Sequence, residues 1–243
     1  MRAFVIGDVH GRFDNLFALL EKAGLLKDGK LTGDTRVIQL GDLGDFRLGT
    51  VERDIACYHT ALTLGIEVLW GNHDYATQDP ERHAFKGYAP PTLLLRGLVE
   101  KVAPSFATAS HGYLLTHAGQ HPAYNQLGIQ DADLMARAIN AVGETALMHR
   151  SPVINDIGPW RGGLNRSGGI LWRDDREDLY NIPQVFGHTR GYVRSFGNRR
   201  FCIDVGSGRT NNLAGLWLPD LTVVAVGEDA DINEMALNGG TDE

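Results

Sequence analysis

Three short segments of this 243-residue chain combine carboxylate, imidazole and amide side chains with glycine. They are Gly7-Asp8-Val9-His10-Gly11, Gly41-Asp42-Leu43-Gly44-Asp45 and Gly71-Asn72-His73-Asp74, and two more histidines lie in Thr116-His117-Ala118-Gly119 and Gly187-His188-Thr189. Oxygen and imidazole ligands suit divalent cations, and two cations that share a ligand can activate water. The residue types therefore indicate a site for two metal ions.

A short apolar run ends at or just before each segment. The runs cover residues 3–6, 36–40, 66–70, 113–115 and 183–186, and they are too short for helices and rich in β-branched and aromatic residues. These features predict buried strands. Because α/β proteins bind ligands at the carboxyl ends of their strands, we expect the five segments to converge on one crevice.

The five motifs, in this order, resemble the calcineurin-like metallophosphoesterase superfamily, and most of all its branch of bacterial and phage phosphoprotein phosphatases. The resemblance extends from about residue 3 to residue 218. It implies an α/β fold with one domain, in which a two-sheet β-sandwich is flanked by helices on both outer faces. It also implies the metal ligands. Asp8, His10 and Asp42 would bind the first metal, and Asp42 would bridge to a second metal held by Asn72, His117 and His188.

Single members of this ligand set have other interpretations. Asp8 could cap the helix predicted from residue 13 onward, and His117 or His188 alone could be a hydrogen-bonded structural histidine. Independent caps and core histidines have no reason to form this set together, so the joint pattern favours metal binding.

The last motif favours some branches of the superfamily over others. Many phosphodiesterases and nucleases that resemble this chain have a second histidine two residues after the first, whereas this chain has Arg190, which cannot bind a metal. The pattern therefore favours the phosphatases and the dinucleoside-polyphosphate hydrolases. In the phosphatases an aspartate at the position of Asp45 pairs with the histidine at the position of His73, which implies that His73 is a general acid oriented by Asp45. Asp45 as a simple turn residue remains open.

Two arginines are candidates for binding phosphate. Arg47 lies one position away from the family's arginine, which follows the second motif. Arg173, in Ile170-Leu171-Trp172-Arg173, resembles a phosphate-binding arginine of bacterial members, and Arg176 lies nearby. The run from residue 173 to 178 also reads as a solvated, mixed-charge loop.

The rest of the chain predicts one soluble domain. We expect a catalytic domain at residues 1–226 with insertions at about 75–104 and 120–168, a helix from about 131 to 148, and a loose acidic tail at 227–243. Residues 201–208 and 213–218 resemble strands that support the site from the second sheet. In the segment 158–166, Trp160 is read as a packing residue, although loops at this edge often select substrates.

Composition excludes several classes of protein. A net charge of −7 argues against binding to long nucleic acid, and two cysteines do not suggest a disulfide framework. No apolar run is long enough to span a membrane, and no targeting signal is evident at the N-terminus, so a cytoplasmic location is expected.

The resemblance implies hydrolysis of phosphomonoesters by direct attack of a hydroxide that bridges two divalent metals. The substrate would be a phosphoprotein, as for a Ser/Thr phosphatase, or a small phosphoester. The metals would be Mn²⁺, or iron with zinc or manganese. Two alternatives remain: a symmetrical dinucleoside-polyphosphate hydrolase or phosphodiesterase of the same superfamily, and a non-catalytic binding module.

Overall fold

The computed structural model describes residues 1–44, 51–78, 93–120, 128–149, 151–177, 182–197 and 199–238. Within these ranges the chain forms two five-stranded sheets, one two-stranded sheet and helices on the outside. The predicted α/β sandwich is confirmed.

The first sheet is built around β1 (Arg2–Ile6). On one side β1 pairs in parallel with β4 (Thr35–Gln39), which pairs in parallel with β5 (Glu67–Val68). On its other side β1 pairs antiparallel with β11 (Leu213–Leu218), which pairs with β12 (Val223–Val226). The three parallel strands bring the turns that contain Asp8, Asp42 and Asn72 to one edge.

The second sheet has the order β6 (Ala107–Ser110), β7 (Tyr113–Thr116), β8 (Gln184–Phe186), β10 (Arg200–Cys202) and β9 (Arg194–Ser195). Strands β7 and β8 are parallel, so the turns with His117 and His188 also share an edge. Of the two closing segments expected in this sheet, β10 belongs to it, whereas β11 pairs with β1 in the first sheet. A small hairpin of β2 (Leu26–Lys27) and β3 (Lys30–Leu31) lies outside both sheets.

The core between the sheets follows from the alternation of side chains along the strands. Ala3 and Val5 of β1 belong to a buried apolar cluster that also contains Leu115 and Val185 of the second sheet. Phe4 and Ile6 belong instead to the cluster that includes the helices. The central strands are therefore buried on both faces, as in a sandwich covered by helices.

Helices cover both outer faces. Helix α1 (Phe13–Lys22) packs on β11 and β12 and buries an apolar stripe, and α5 (Ala132–Met148) packs on β6 and β7. The other helices are α2 (Val51–Leu64), α3 (Asn72–Gln78), α4 (Leu93–Val102) and α6 (Ala230–Asn238), with 3-10 turns at Pro152–Ile154 and Pro159–Arg161. Among the described residues, no helix is both long and apolar enough to cross a membrane.

Three sequence expectations about helices can be compared with the structure. The helix predicted from about 131 to 148 is α5, and the Asp131 side chain caps it by accepting from Leu134 N at 2.7 Å. The insertion expected at 75–104 contains the end of α3 and all of α4, while residues 79–92 lie outside the described chain. The loose tail expected at 227–243 instead contains α6, because Asn233 is fully buried and accepts a hydrogen bond from Val193 N at 3.0 Å. The domain boundary at 226 stays a prediction.

Candidate metal centre and active-site cavity

Each proposed metal ligand lies shortly after the end of a strand, within a tight turn or, for Asn72, at the start of α3. The turns after β1 and β4 are joined by main-chain hydrogen bonds, since Val9 N and His10 N both donate to Asp42 O at 3.0 and 2.8 Å. His188 N likewise donates to the Asp8 carboxylate at 3.1 to 3.2 Å. Turns from remote parts of the sequence thus fix one another through hydrogen bonds of the main chain.

Three of the ligand residues have positive φ angles although they are not glycine. The values are 51° for His10, 55° for Asp42 and 66° for His188. Residues with side chains rarely adopt this conformation, and it concentrates at functional sites. The backbone is therefore shaped here to direct these side chains inward at a cost in conformational energy.

Two glycines allow the turns to pack against each other. A side chain at Gly71 would collide with Asp42 N, and one at Gly187 would collide with the Asp8 carboxylate. Only the absence of a Cβ permits this approach. The glycines quoted in the motifs thus have a direct steric role.

The first group of ligands lies around His10. His10 Nε2 is 3.9 Å from Asp8 Oδ2 and 3.7 Å from Asp42 Oδ2. All three residues are buried, and together they provide two carboxylates and one imidazole. Chemically this donor set suits a divalent cation of the Mn, Fe or Zn type, and the ligand atoms that all lie within 4.8 Å of one another here are those of His10, Asp42 and His73.

The second group lies around His117, which is 1% exposed. Its Nδ1 is 3.0 Å from Leu40 O and donates to it, so Nε2 of the neutral ring carries a lone pair. Nε2 points at Asn72 Oδ1 at 2.9 Å and at His188 Nδ1 at 3.1 Å, and it lies 3.7 Å from Asp42 Oδ2. Asn72 Oδ1 and Asp42 Oδ2 also carry lone pairs, and lone pairs that converge in this way repel one another unless a cation lies among them. The second predicted set therefore also fits a metal ion.

The electrostatics of the buried groups agree with this fit. Burial, followed by the neighbouring Asp204 and Asp42 carboxylates, raises the pKa of Asp8. Burial also lowers the pKa of His117 and of His188, which keeps both rings neutral and able to bind a metal. A bound cation would offset the repulsion among the carboxylates.

Asp8 does not cap α1, because the residue at the N-cap position is Arg12. The helix-cap interpretation of Asp8 is thus not what the structure shows. A further carboxylate, Asp204, is buried, lines the cavity and accepts from Gly206 N at 2.8 Å.

His73 lies beside the first group. Its Nε2 is 3.8 Å from Asp42 Oδ2, and its ring meets the His10 ring edge to face at 4.8 Å between centroids. His73 is 6% exposed and lines the cavity. Its proposed partner Asp45 lies outside the described residues.

The structure does not support one of the two predicted phosphate-binding arginines. Arg173 is fully buried, with its Nε 3.6 Å from Glu177 Oε2, and it is not among the described residues that line the cavity. Arg173 follows a turn rather than a strand, so its position in the sequence does not determine the direction of its side chain. In the structure this side chain points into the protein. The other candidate, Arg47, lies outside the described residues.

A cavity of about 340 Å³ opens over the two ligand groups. Its lining includes four arginines that the sequence did not single out as primary candidates: Arg161, Arg176, Arg190 and Arg209. Arg161 contacts a proposed ligand residue directly, since its Nη2 donates to His188 O at 3.0 Å and to Thr189 Oγ1 at 2.8 Å. Its Nε also contacts Asp174 Oδ2 at 3.0 Å, and this buried carboxylate fixes the guanidinium.

Asp74 is a residue whose role the motif alone did not indicate. It is 0% exposed, and its Oδ2 accepts from Asp42 N at 2.6 Å and from Gly71 N at 2.9 Å. Its Oδ1 accepts from Leu43 N at 3.0 Å and also from the hydroxyl of Tyr58 in α2. One carboxylate thus holds together the turns that carry Asp42 and Asn72. Its position after Gly71-Asn72-His73 was the available signal, but two of its donors, Asp42 N and Leu43 N, lie in another motif.

Comparison with known proteins agrees with this geometry. Residues 1–192 match the family model of calcineurin-like phosphoesterases, and no curated protein sequence matches the chain significantly. A cold-active protein-tyrosine phosphatase of a psychrophilic Shewanella species has a similar fold, with 17% identity, a TM-score of 0.63, and coverage of 92% of this chain and 77% of that one.

Two further structures are similar. A proposed diadenosine tetraphosphatase has 17% identity, a TM-score of 0.56 and 94% coverage of both chains. A protein serine/threonine phosphatase from Saccharomyces cerevisiae has 15% identity, a TM-score of 0.50, and coverage of 89% of this chain and 72% of that one. The family match covers all five motif segments, so the chain belongs to the calcineurin-like phosphoesterase family and is a metal-dependent phosphoester hydrolase.

Proposed function

We propose that the protein is a phosphatase that hydrolyses phosphomonoesters with the help of two divalent cations. The observation that carries this proposal is the position of Asp42 Oδ2, which lies 3.7 Å from His10 Nε2 and 3.7 Å from His117 Nε2. A single carboxylate oxygen therefore faces both groups of ligands. Cation pairs about 3.5–4 Å apart need a shared ligand of this kind.

The residues that would hold the cations are those of the two ligand groups. Asp8, His10 and Asp42 would bind one cation, and Asp42, Asn72, His117 and His188 would bind the other. When bound, two cations lower the pKa of water to generate a nucleophile and neutralise charge on the phosphoryl oxygens. The mixed oxygen and nitrogen ligands suit Mn²⁺, or iron combined with zinc or manganese.

His73 would protonate the departing alkoxide. It lines the cavity beside Asp42, and its main-chain N–H donates to Asp42 Oδ1 at 2.8 Å, which fixes its position relative to the shared ligand. We propose that Asp45 orients the imidazole and supports its positive charge. An imidazole held in this way supplies a proton at the leaving oxygen when the ester bond breaks.

Arg161 is the best candidate for binding the substrate phosphate. It lines the cavity, and Asp174, His188 O and Thr189 Oγ1 fix its guanidinium, as a preorganised phosphate ligand requires. Arg161→Lys should raise KM for a phosphomonoester and weaken inhibition by inorganic phosphate, with both metals retained. Unchanged inhibition by phosphate would remove Arg161 from this role.

The substrate of the proposed phosphatase would be a phosphoprotein or a small phosphoester. A dinucleoside-polyphosphate hydrolase is the second candidate, because the fold neighbour proposed to be a diadenosine tetraphosphatase matches this chain along 94% of both lengths. These neighbours share at most 17% of their residues with this chain, so turnover must decide between the two functions.

The experiment compares four substrates with Mn²⁺-loaded protein: p-nitrophenyl phosphate, a phosphoserine peptide, bis(p-nitrophenyl) phosphate and diadenosine tetraphosphate. We expect the two monoesters to have the higher kcat/KM, and Asp42→Asn to abolish turnover. Faster hydrolysis of diadenosine tetraphosphate or of the diester would replace the proposal by the second candidate or by a phosphodiesterase. No turnover of any substrate would refute it.

A further inference from the structure

Trp160 does not pack in the core as its sequence context suggests. It is 55% exposed and lines the cavity together with His10, Asp42 and His188. Its position is fixed by the 3-10 turn Pro159–Arg161, which ends at Gly162 with a φ of 79°. A large apolar surface is thus held at the mouth of the active-site cavity.

One face of this indole is already occupied by a cation. The guanidinium carbon of Arg176 lies 4.5 Å from the centroid of the Trp160 ring. Asp174 holds Arg176 in place, since it accepts from Arg176 Nε at 2.6 Å and from Nη2 at 2.9 Å. Arg176 Nη2 also lies 3.3 Å from Trp160 O. These contacts position the guanidinium against the indole, which reduces the entropy lost when a substrate binds.

A second tryptophan contacts a proposed metal ligand in the same cavity. The Trp172 ring meets the His188 ring edge to face at 5.6 Å between centroids, and Trp172 lines the cavity together with Trp160. Aromatic side chains therefore lie both beside His188 and at the mouth of the cavity. The cavity volume of about 340 Å³ lies at the low end of the range for small-molecule sites, about 300–1,000 Å³, and suits a phosphoryl group with a small organic group.

We propose that Trp160 and Arg176 form a platform that binds a planar unsaturated ring on the organic group of the substrate. The inference rests on the proposed phosphatase function and narrows its substrates to ring-bearing phosphomonoesters. Indole surfaces bind planar rings by offset stacking, and the adjacent guanidinium adds a second planar, cationic surface. The ring could belong to an aryl group or to a nucleobase, because both offer the same π-face.

The test uses two pairs of substrates that differ mainly in the ring. Benzyl phosphate and cyclohexylmethyl phosphate both release an alkoxide, but only the first has a planar ring. Adenosine 5′-monophosphate and ribose 5-phosphate provide the corresponding pair for a nucleobase. Each is measured with Mn²⁺-loaded wild-type protein, Trp160→Ala, Trp160→Phe and the control Tyr192→Ala. Tyr192 is 52% exposed but is not among the described residues that line the cavity.

We expect Trp160→Ala to lower kcat/KM for the planar member of at least one pair by roughly three- to tenfold, mainly through KM, since aromatic contacts have this magnitude. The non-planar member should change less than twofold. Trp160→Phe should recover most of the loss, and Tyr192→Ala should behave like wild type. The pair that loses selectivity identifies the ring as aryl or nucleobase.

Equal losses for planar and non-planar members, or no loss in either pair, would overturn the platform. Calorimetric titration with benzylphosphonate and cyclohexylmethylphosphonate separates this result from failure of the proposed function, because binding needs no hydrolysis. Wild-type protein that binds benzylphosphonate more tightly, with the preference lost in Trp160→Ala, would support the platform even without turnover. Absence of any ring preference in both binding and turnover would refute it.

Discussion

Replacing Asp74 by asparagine tests whether its carboxylate organises the metal centre. The side chain of Asn has the same shape, but one oxygen becomes an NH2 group that cannot accept hydrogen bonds. If the NH2 takes the place of Oδ2, the buried main-chain N–H groups of Asp42 and Gly71 lose their acceptor and face a donor. The flipped amide instead removes the acceptor of Leu43 N. Neither orientation satisfies all donors.

The expected loss follows from the number of donors left unsatisfied. Each buried, unsatisfied group costs about 1–3 kcal/mol, so two such groups should lower the free energy of unfolding by about 2–6 kcal/mol. A domain has only about 5–15 kcal/mol in total. The turn that carries Asp42 should also shift, so the affinity for Mn²⁺ should fall together with the stability.

The assay is urea unfolding of metal-free protein, followed by calorimetric titration of Mn²⁺ into folded protein. Asp131→Asn is the matched control, because Asp131 caps α5 at an exposed position where Asn caps equally well, and it should stay within about 0.5 kcal/mol of wild type. Stability of Asp74→Asn within the same margin, with unchanged Mn²⁺ affinity, would refute the organising role.

Four further outcomes are expected. Chelation should abolish phosphomonoesterase activity and Mn²⁺ should restore it; full activity in demonstrably metal-free protein would contradict the mechanism. Metal analysis should find that Asp42→Asn loses more bound metal than Asp8→Asn, because only Asp42 faces both ligand groups. If Asp42→Asn still held two ions tightly, Asp42 would not be the ligand shared by both cations. His73→Asn should keep both metals, yet its turnover of an alkyl phosphate should fall about 10²–10⁴-fold and its turnover of p-nitrophenyl phosphate should fall less. Steady-state kinetics would measure both, and equal losses of turnover for the two substrates would exclude His73 as the general acid. Gly187→Ala should displace the Asp8 carboxylate and lower both the melting temperature and the metal content. The control Gly97→Ala has open space around it in α4 and should be neutral or stabilising. A wild-type metal content in Gly187→Ala would contradict the steric argument.

The convergence of the candidate metal ligands could be predicted from the sequence because their placement depends on strand ends. An apolar run of four or five residues fixes where a strand stops, and parallel strands bring such ends to one edge. The predicted grouping of His117 with His188 and Asn72 agrees with the distances among their atoms for this reason. At these positions the local sequence pattern, which marks the end of a strand, also predicts where the residue lies in the sheet.

The arginines and α6 show where this reasoning fails. The direction of Arg173 depends on a turn, and a turn does not have the fixed alternation of a strand. Arg161 reaches the cavity through contacts with Asp174 and Thr189, which are 13 and 28 positions away, and no periodic pattern reveals such pairs. Helix α6 forms in an acidic segment because Lys22 of α1 binds Glu234 at 2.8 Å and Asn233 is buried, and both contacts are tertiary.

The candidate metal ligands follow strands of two different sheets, and this arrangement affects the stability of the protein in the cell. Asp42 and Asn72 follow strands of the first sheet, whereas His117 and His188 follow strands of the second. A cation held by all four would cross-link the two sheets of the sandwich, and it would bind the folded state in preference to the unfolded chain. Free metal at a thousand times its dissociation constant would then add about 4 kcal/mol of stability. Metal supply would set the lifetime and abundance of the protein as well as its turnover, so metal starvation should make the chain prone to proteolysis at the seam between its sheets.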